Sequence, residues 1–301
     1  MNSYVDVVDL KRAVRIAAAT TLYDADLLRL ATSASRDIDA RCARHFYTMT
    51  EARYFDTIEI IGALRGGAGI PSFGRMAIDD VLSITEFACD ANADGTFSEI
   101  WTEDTDFVLW PYNRWPKNQI QILGYGTKSL LQGTRYLKIT GTWGYGDGAL
   151  SSPWVLQSVT ADVDAADGLD ITISDTLGIG AGRTLKIADE QVLVTAVSED
   201  GKTLSCIRGV NGTTGVVHDA ATVSLASYPD PIVTACIRRT GAAFYMSANS
   251  GLKSEKIGDY SYTLDSGADN RETDIRELGP YRILNVSAPR AKSYVPSWRL
   301  I

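Results

Sequence analysis

The sequence predicts an α+β fold interrupted by an inserted all-β barrel or sandwich domain. Three observations carry this. Two segments, one near the start and one after residue 229, keep apolar residues at the helical period. Short strand-like pieces fill the chain between the first helical segment and residue 150. Residues 151–228 are a second, denser β block with its own charge.

The first helix is predicted in DADLLRLATSASRDIDARCAR. Leu27, Ala31, Ala34, Ile38 and Cys42 recur at spacings of four, three, four and four, which is one apolar stripe. Asp24 is the expected N-cap, Asp26 suits the positive end of the helix dipole, and Arg41 and Arg44 suit the negative end. A shorter helix is expected over 9–18. EARYFDTIEII then reads as a strand ending in the loop LRGGAGIPSFG. MAIDDVLSITEFACD and FSEIWTEDTDFVLWP are rich in β-branched and aromatic residues, with DANADG as the turn between them. NQIQILG and RYLKITGTWGYG complete a run of short antiparallel strands.

The β block holds VLQSVTADV, LDITISD, RTLKIAD, QVLVTAVSED, KTLSCIRGV and ATVSLASY, separated by Gly, Asp and Asn turns. Close spacing of short strands suggests a small barrel or sandwich. After it, PDPIVTACIRRTGAAFYMSANSG puts Val233, Cys236, Thr240, Phe244 and Ala248 on one helical face. Pro231 falls at the first turn and Gly251 at the stop. GDYSYTLDSG reads as a strand with alternating Tyr260, Tyr262 and Leu264.

The chain has 301 residues, 45% hydrophobic and 22% charged, which is a globular composition. No run approaches the roughly 18 apolar residues of a membrane span. The start, MNSYVDVVDLKRAVRIAA, lacks the order of a signal peptide, so a soluble chain used in a cytoplasm is expected. Cys42, Cys89, Cys206 and Cys236 are widely spaced with no CxxC pair, which argues for buried thiols and against a zinc site. The net charge is −8. Residues 151–228 hold ten acids and four bases, net −6, whereas the tail from Pro280 to Ile301 holds Arg282, Arg290, Lys292 and Arg299 and no acid. An acidic body is a poor wrapper of DNA.

No constellation of catalytic or metal-binding residues is found, and no cofactor is expected. The two histidines, His45 after a helix and His218 in a turn-rich stretch, read as packing or capping residues. HExxH is absent. DANADGTFSEIW places Asp90, Asn92, Asp94 and Gly95 as in a calcium loop, but its twelfth place is Trp101 and strands flank it, so a plain turn is preferred. Asp162, Asp164 and Asp167 are spaced worse still. GIGAGRT lacks the P-loop lysine. In ITGTWGYGDG, Gly141, Gly144, Gly146 and Gly148 never take the GxGxxG spacing. That stretch is expected to be a strand over 138–142. Trp143 and Tyr145 pack at its end, and Gly144 and Gly146 allow tight turns. The chain leaves for the β block at 146–152 and returns near Asp230.

The order of pieces resembles the head–tail connector (neck adaptor, or head-completion) proteins of long-tailed bacteriophages. The resemblance rests on DADLLRLATSASRDIDARCARHF, a strand ending YFD, MAIDDVLSI, TDFVLWP, KITGTWGYG, PDPIVTAC and SEKIGDYSYTLDSG. It covers residues 4–150 and 229–267. In that family the GTWGYG strand leads by a short loop into the next helix; here 151–228 intervenes. The β block itself is similar to small modules of phage structural proteins, through GRTLKIADEQVLVTAV and LSCIRGVNGTTGVVH.

The resemblance implies a helical core with a small antiparallel sheet, divided as 1–150 and 229–270 around the inserted domain 151–228, with an extended docking tail over 271–301. It implies a virion structural protein and not an enzyme, assembled in the host cytoplasm and located in the neck. The partners implied are other copies of itself, in a ring of about twelve, the portal protein, a downstream neck or tail-completion protein, and passing double-stranded DNA held without sequence specificity. No membrane is implied. Tyr281, Arg282, Arg290, Tyr294, Trp298, Arg299, Leu300 and Ile301 mix aromatic and Arg anchors of the kind that dominate interfaces and are expected to dock on the portal. Two other readings stay open: another virion component such as a tail-completion or baseplate protein, and a carbohydrate-binding or hydrolytic protein acting through the β block, with Asn211 and Asp219 lining a groove.

Overall fold

A computed structural model of the chain describes residues 2–57, 75–123, 128, 133–164, 168–248, 254–257, 260–263 and 276–283. Helix α1 (Val7–Ala13) is capped by Asp6, whose carboxylate accepts from the Asp9 N–H. Helix α2 (Asp24–Cys42) follows. Asp24 is its first residue and not its cap; its carboxylate pairs with Lys11 of α1 at 2.7 Å. The buried stripe is Leu27, Ala31, Ser35, Ile38 and Cys42. Ser35 replaces the expected Ala34 because its hydroxyl has partners inside: it donates to Ala31 O and accepts from Tyr4 N–H. Helix α3 (Asp230–Ala248) packs across α2 and α1.

Six strands form the first sheet: β1 (Met49–Phe55), β2 (Arg75–Cys89), β3 (Glu99–Ile100), β4 (Phe107–Trp110), β5 (Lys117–Ile122) and β6 (Leu137–Trp143). The order is β1-β6-β2-β5-β4, all antiparallel, with β3 on the far end of β2. The single strand expected over FSEIWTEDTDFVLWP is therefore two, β3 and β4. A turn separates them because Asp106 folds back to accept from Thr102 N–H. Strands β7 (Trp154–Val163), β8 (Asp170–Ile173), β9 (Thr184–Ile187), β10 (Glu190–Val197), β11 (Thr203–Ile207) and β12 (His218–Ala226) close into a barrel ordered β10-β11-β8-β7-β12-β9. β13 (Ser254–Ile257) and β14 (Tyr260–Thr263) pair as a hairpin.

The fold class differs from the helical core expected. The protein is mostly β, 36% strand against 22% helix, built from a closed six-stranded barrel and a separate sheet. The physical reason is where the apolar side chains go. Of the three buried clusters among the described residues, one lies within the first sheet and one fills the barrel. Only the third is held by α1, α2 and α3, around Tyr4, Leu27, Ile38, Phe46, Ile232 and Cys236. The period of 3.6 in α2 and α3 marks two helices; it does not make them the core of the molecule.

The barrel is fastened to the rest of the chain at two places. Its ends meet where Ser227 N–H donates to Pro153 O at 2.7 Å. Its flank docks on residues 2–8 and on β1. There Asn2 and Asn211 exchange amide hydrogen bonds of 2.8 and 3.1 Å, and Asn211 also donates to Gln191 Oε1. Thr184 donates to Asn2, and Gln191 donates to Thr48. The backbone joins in through Thr50 N–H to Asn211 O and Val7 N–H to Ala181 O. Buried amides paired in this way rigidify a seam, because each would be costly if left unpaired.

Candidate functional site

GTWGYG closes β6 and builds one wall of a charged pocket. Gly141 and Gly144 are required by contact: a Cβ on Gly141 would sit 2.2 Å from Ser83 O, and one on Gly144 (φ +130°) would sit 2.2 Å from Tyr47 O. Close backbone approach of this kind excludes any side chain. Trp143 is fully buried, and its indole N–H donates to Glu51 O at 2.9 Å. Tyr145 meets Phe46 and Tyr281 edge-on at 5.3 and 5.7 Å, with Arg44 over its ring at 4.7 Å.

Five segments converge on the pocket, a cavity of about 260 Å³ lined by Ala43, Arg44, His45, Arg53, Asp79, Asp80, Gly144 and Ile283. Helix α2 ends when Ala43 takes the left-handed conformation (φ 55°), which turns Arg44 and His45 toward the sheet. Asp79 and Asp80 lie between Ala77 and Val81, where β2 slips register against β5. A bulge of this type re-aims side chains. Gly144 N–H donates to Asp80 O, Tyr145 N–H to His45 O, and Gly146 N–H to Phe46 O. Ile283 N–H donates to Cys42 O and fixes the last side of the cavity.

The electrostatics are uneven. Arg53 is fully engaged: it pairs with Glu51 at 2.7 Å and Asp79 at 2.8 Å, donates to His45 Nε2 at 3.1 Å, and lies over the Trp143 ring. Because Nε2 accepts, the His45 proton sits on Nδ1 and donates to Tyr47 O. Burial lowers the His45 pKa, so the ring is neutral. Asp80 is different. Its side chain is 4% exposed, Arg44 Nε stands 3.4 Å away, and neither carboxylate oxygen has a hydrogen-bond partner. Burial pushes its carboxyl up to about 6, against the pull of Arg44.

The second histidine belongs to a latch in the barrel. Glu190 is fully buried and accepts from Arg208 Nε and Nη2 at 2.6 Å each, from His218 at 2.9 Å, and from the N–H groups of Gly209 and Val216. Burial alone would raise this carboxyl, but the hydrogen bonds outweigh it and hold it at about 2. The latch pins the loop 208–218 and leaves no lone pair facing outward.

The other sequence candidates resolve as follows. In DANADG, Asp90 accepts from the N–H groups of Asp94 and Gly95, and Asp94 from Thr96 N–H, so the acids serve a turn. Trp101, at the calcium loop's twelfth place, is buried against Phe87. Among the described residues no group of three or more His, Cys, Asp and Glu could hold a metal ion. Burial raises the pKa of all four free thiols, which makes them poor nucleophiles. Asn211 is taken up by the seam, while Asp219 is exposed. Of the expected docking residues, Tyr281 packs on Phe46 and Tyr145, and Arg282 is exposed. Arg290, Tyr294, Trp298, Arg299, Leu300 and Ile301 lie outside the described residues, as does the whole loop LRGGAGIPSFG. The pocket acids Asp79 and Asp80 were not sequence candidates; an adjacent acidic pair inside an apolar strand was the available signal.

No helix among the described residues is long and apolar enough to cross a membrane. No family model, curated protein or solved structure matches the chain.

Proposed function

We propose that this chain is a structural protein of a tailed-phage neck, an adaptor that joins portal to tail-proximal components and lets double-stranded DNA pass. In this reading it assembles as a ring, the portal and the next neck or tail-completion protein are its partners, and it carries no catalytic centre or cofactor. The observation that carries the reading is the meeting of the resembling segments in one body. Tyr145 of GTWGYG packs on Phe46, just after α2, and on Tyr281, in the first part of the expected tail. Helix α2 packs against α3 although the whole barrel separates them in sequence. The acidic balance also suits a channel that must not grip phosphates, since like charges repel over about a Debye length.

The test is mass measurement and negative-stain imaging of the purified protein, alone and with portal. A ring, or portal-dependent assembly, is expected. A second arm removes residues 284–301. The cut falls after Ile283 because Tyr281 and Ile283 are tied into the core. The shortened chain is expected to stay folded and lose portal binding. A persistent monomer without portal affinity would overturn the proposal.

A further inference from the structure

The end of the barrel beside the latch carries an apolar patch. Leu169, Ile207, Val216 and Val217 each keep between 46 and 67% of their surface exposed. They stand together because Arg208 sits among them. Its guanidinium donates to Gly168 O and to Val216 O, and Cys206 N–H donates to Leu169 O. Single exposed aliphatics are ordinary on a protein surface, whereas a contiguous group marks a contact. The group is also held still. Glu190 accepts from the N–H groups of Gly209 and Val216, and so pins both ends of the loop that leads to Val217. A buried Arg208–Glu190 pair that shapes a surface loop lowers the ordering cost of binding there. Exposed carboxylates border the patch. Asp170 follows Leu169 and accepts from Ser205 Oγ at 2.7 Å. Asp219 stands two residues beyond Val217, and Asp162 accepts from Ala220 N–H at 2.6 Å. Asp164 lies beside Val163, which pairs with His218. Arg208 does not offset them at the surface, because Glu190 takes its charge inside.

We propose that this end of the barrel docks a partner protein through a segment whose aliphatic or aromatic anchor is flanked by Lys and Arg. Leu169, Ile207, Val216 and Val217 receive the anchor, since well-packed apolar contacts at the centre of a patch carry most of the binding energy. Asp162, Asp164, Asp170 and Asp219 steer the flanking cations and fix their register. The same acids turn away nucleic acid and anionic membrane, whose phosphates they repel. They also oppose a second copy meeting this one end to end, because that copy carries the same acids. The docking surface does not rest on the neck reading.

The test titrates the isotope-labelled full chain with a short synthetic peptide, a Leu-Trp-Leu centre between Lys-Arg ends, and follows methyl signals by NMR. The peptide is expected to shift Leu169, Ile207, Val216 and Val217 together, while a twin with Glu-Asp ends leaves them in place. Ile207→Asn combined with Val217→Asn should weaken binding by about tenfold or more. Asp170→Asn combined with Asp219→Asn should weaken it about threefold and flatten its salt dependence. Leu156→Asn changes an exposed aliphatic elsewhere on the barrel and should leave binding unchanged. All these positions are exposed, and the methyl signals of Val192 and Leu204 inside the barrel check that each variant is folded. Equal binding of the two peptides, shifts that miss the four methyls, or unchanged affinity in the folded Ile207 and Val217 double variant overturns the proposal. So do patch signals that shift with protein concentration alone, which would mean that a second copy occupies the surface.

Discussion

Replacing Glu190 by Gln should be among the most damaging single changes in the barrel. The carboxylate is fully buried and receives five hydrogen bonds, two of them from Arg208 at 2.6 Å. Its pKa of about 2, against an ordinary 4.5, corresponds to about 3 kcal/mol of stability at neutral pH. The sign follows from the depressed value: the contribution is present above pH 4.5 and is lost as pH falls toward about 2. Gln removes the charge, turns one acceptor into a donor facing donors, and leaves Arg208 buried without its carboxylate. Breaking such a pair from one side costs about 3–5 kcal/mol. Urea unfolding at pH 7, followed at the amide signals of Val192 and Val194, should report a loss in that range. At pH 2.5 the gap between wild type and variant should narrow by about 2–3 kcal/mol, because the wild type has then lost the same contribution. A loss below about 1 kcal/mol at pH 7, or a gap that does not change with pH, would refute the latch.

Two further substitutions probe the supports of the pocket and the seam. Gly144→Ala forces a Cβ toward Tyr47 O at a φ of +130°, so urea unfolding should register a loss of more than about 2 kcal/mol; an unchanged midpoint would show that the β6 end yields freely. Asn211→Ala removes three side-chain hydrogen bonds at the barrel flank and should cost about 1–3 kcal/mol. Hydrogen exchange at Thr50 should rise with it, since that N–H donates to Asn211 O, and unchanged exchange there would count against a rigid seam.

What the sequence disclosed and what it hid divide by range. Local signals were readable: the stripe of α2, the helical face after Pro231, and turns at Gly, Asp and Asn. The misreadings come from partners distant in sequence. Asp24 looked like a cap from its position, but Lys11 claims its carboxylate. Ser35 looked polar, yet Tyr4 N–H and Ala31 O satisfy it inside. The latch and the pocket depend on register. Glu190, Arg208 and His218 meet only because β10 and β12 both pair with β9 while β10 pairs with β11. Asp79 and Asp80 fall in a register shift of β2 against β5, which the adjacent acidic pair in the sequence does not by itself locate. The fold class failed for a related reason: helical periodicity counts helices, but it does not say which element holds most of the buried surface.

ITGTWGYGDG shows how a glycine-rich stretch can matter without cradling a phosphate. Its glycines answer to backbone carbonyls: Ser83 O opposes Gly141 and Tyr47 O opposes Gly144. Its aromatics then fasten three regions. Trp143 ties β6 to β1 through Glu51 O, and Tyr145 links Phe46, shortly after α2, to Tyr281. Immediately beyond, the chain leaves for the barrel and returns where Ser227 N–H donates to Pro153 O, next to the β7–β12 pairing of Trp154 with Ala226. An insertion with ends so close adds little loop-closure cost. A module can therefore interrupt the chain at this point without disturbing the pocket whose wall lies a few residues upstream. The same spot joins sheet and helices to the segment at Tyr281, because Tyr145 packs on both Phe46 and Tyr281.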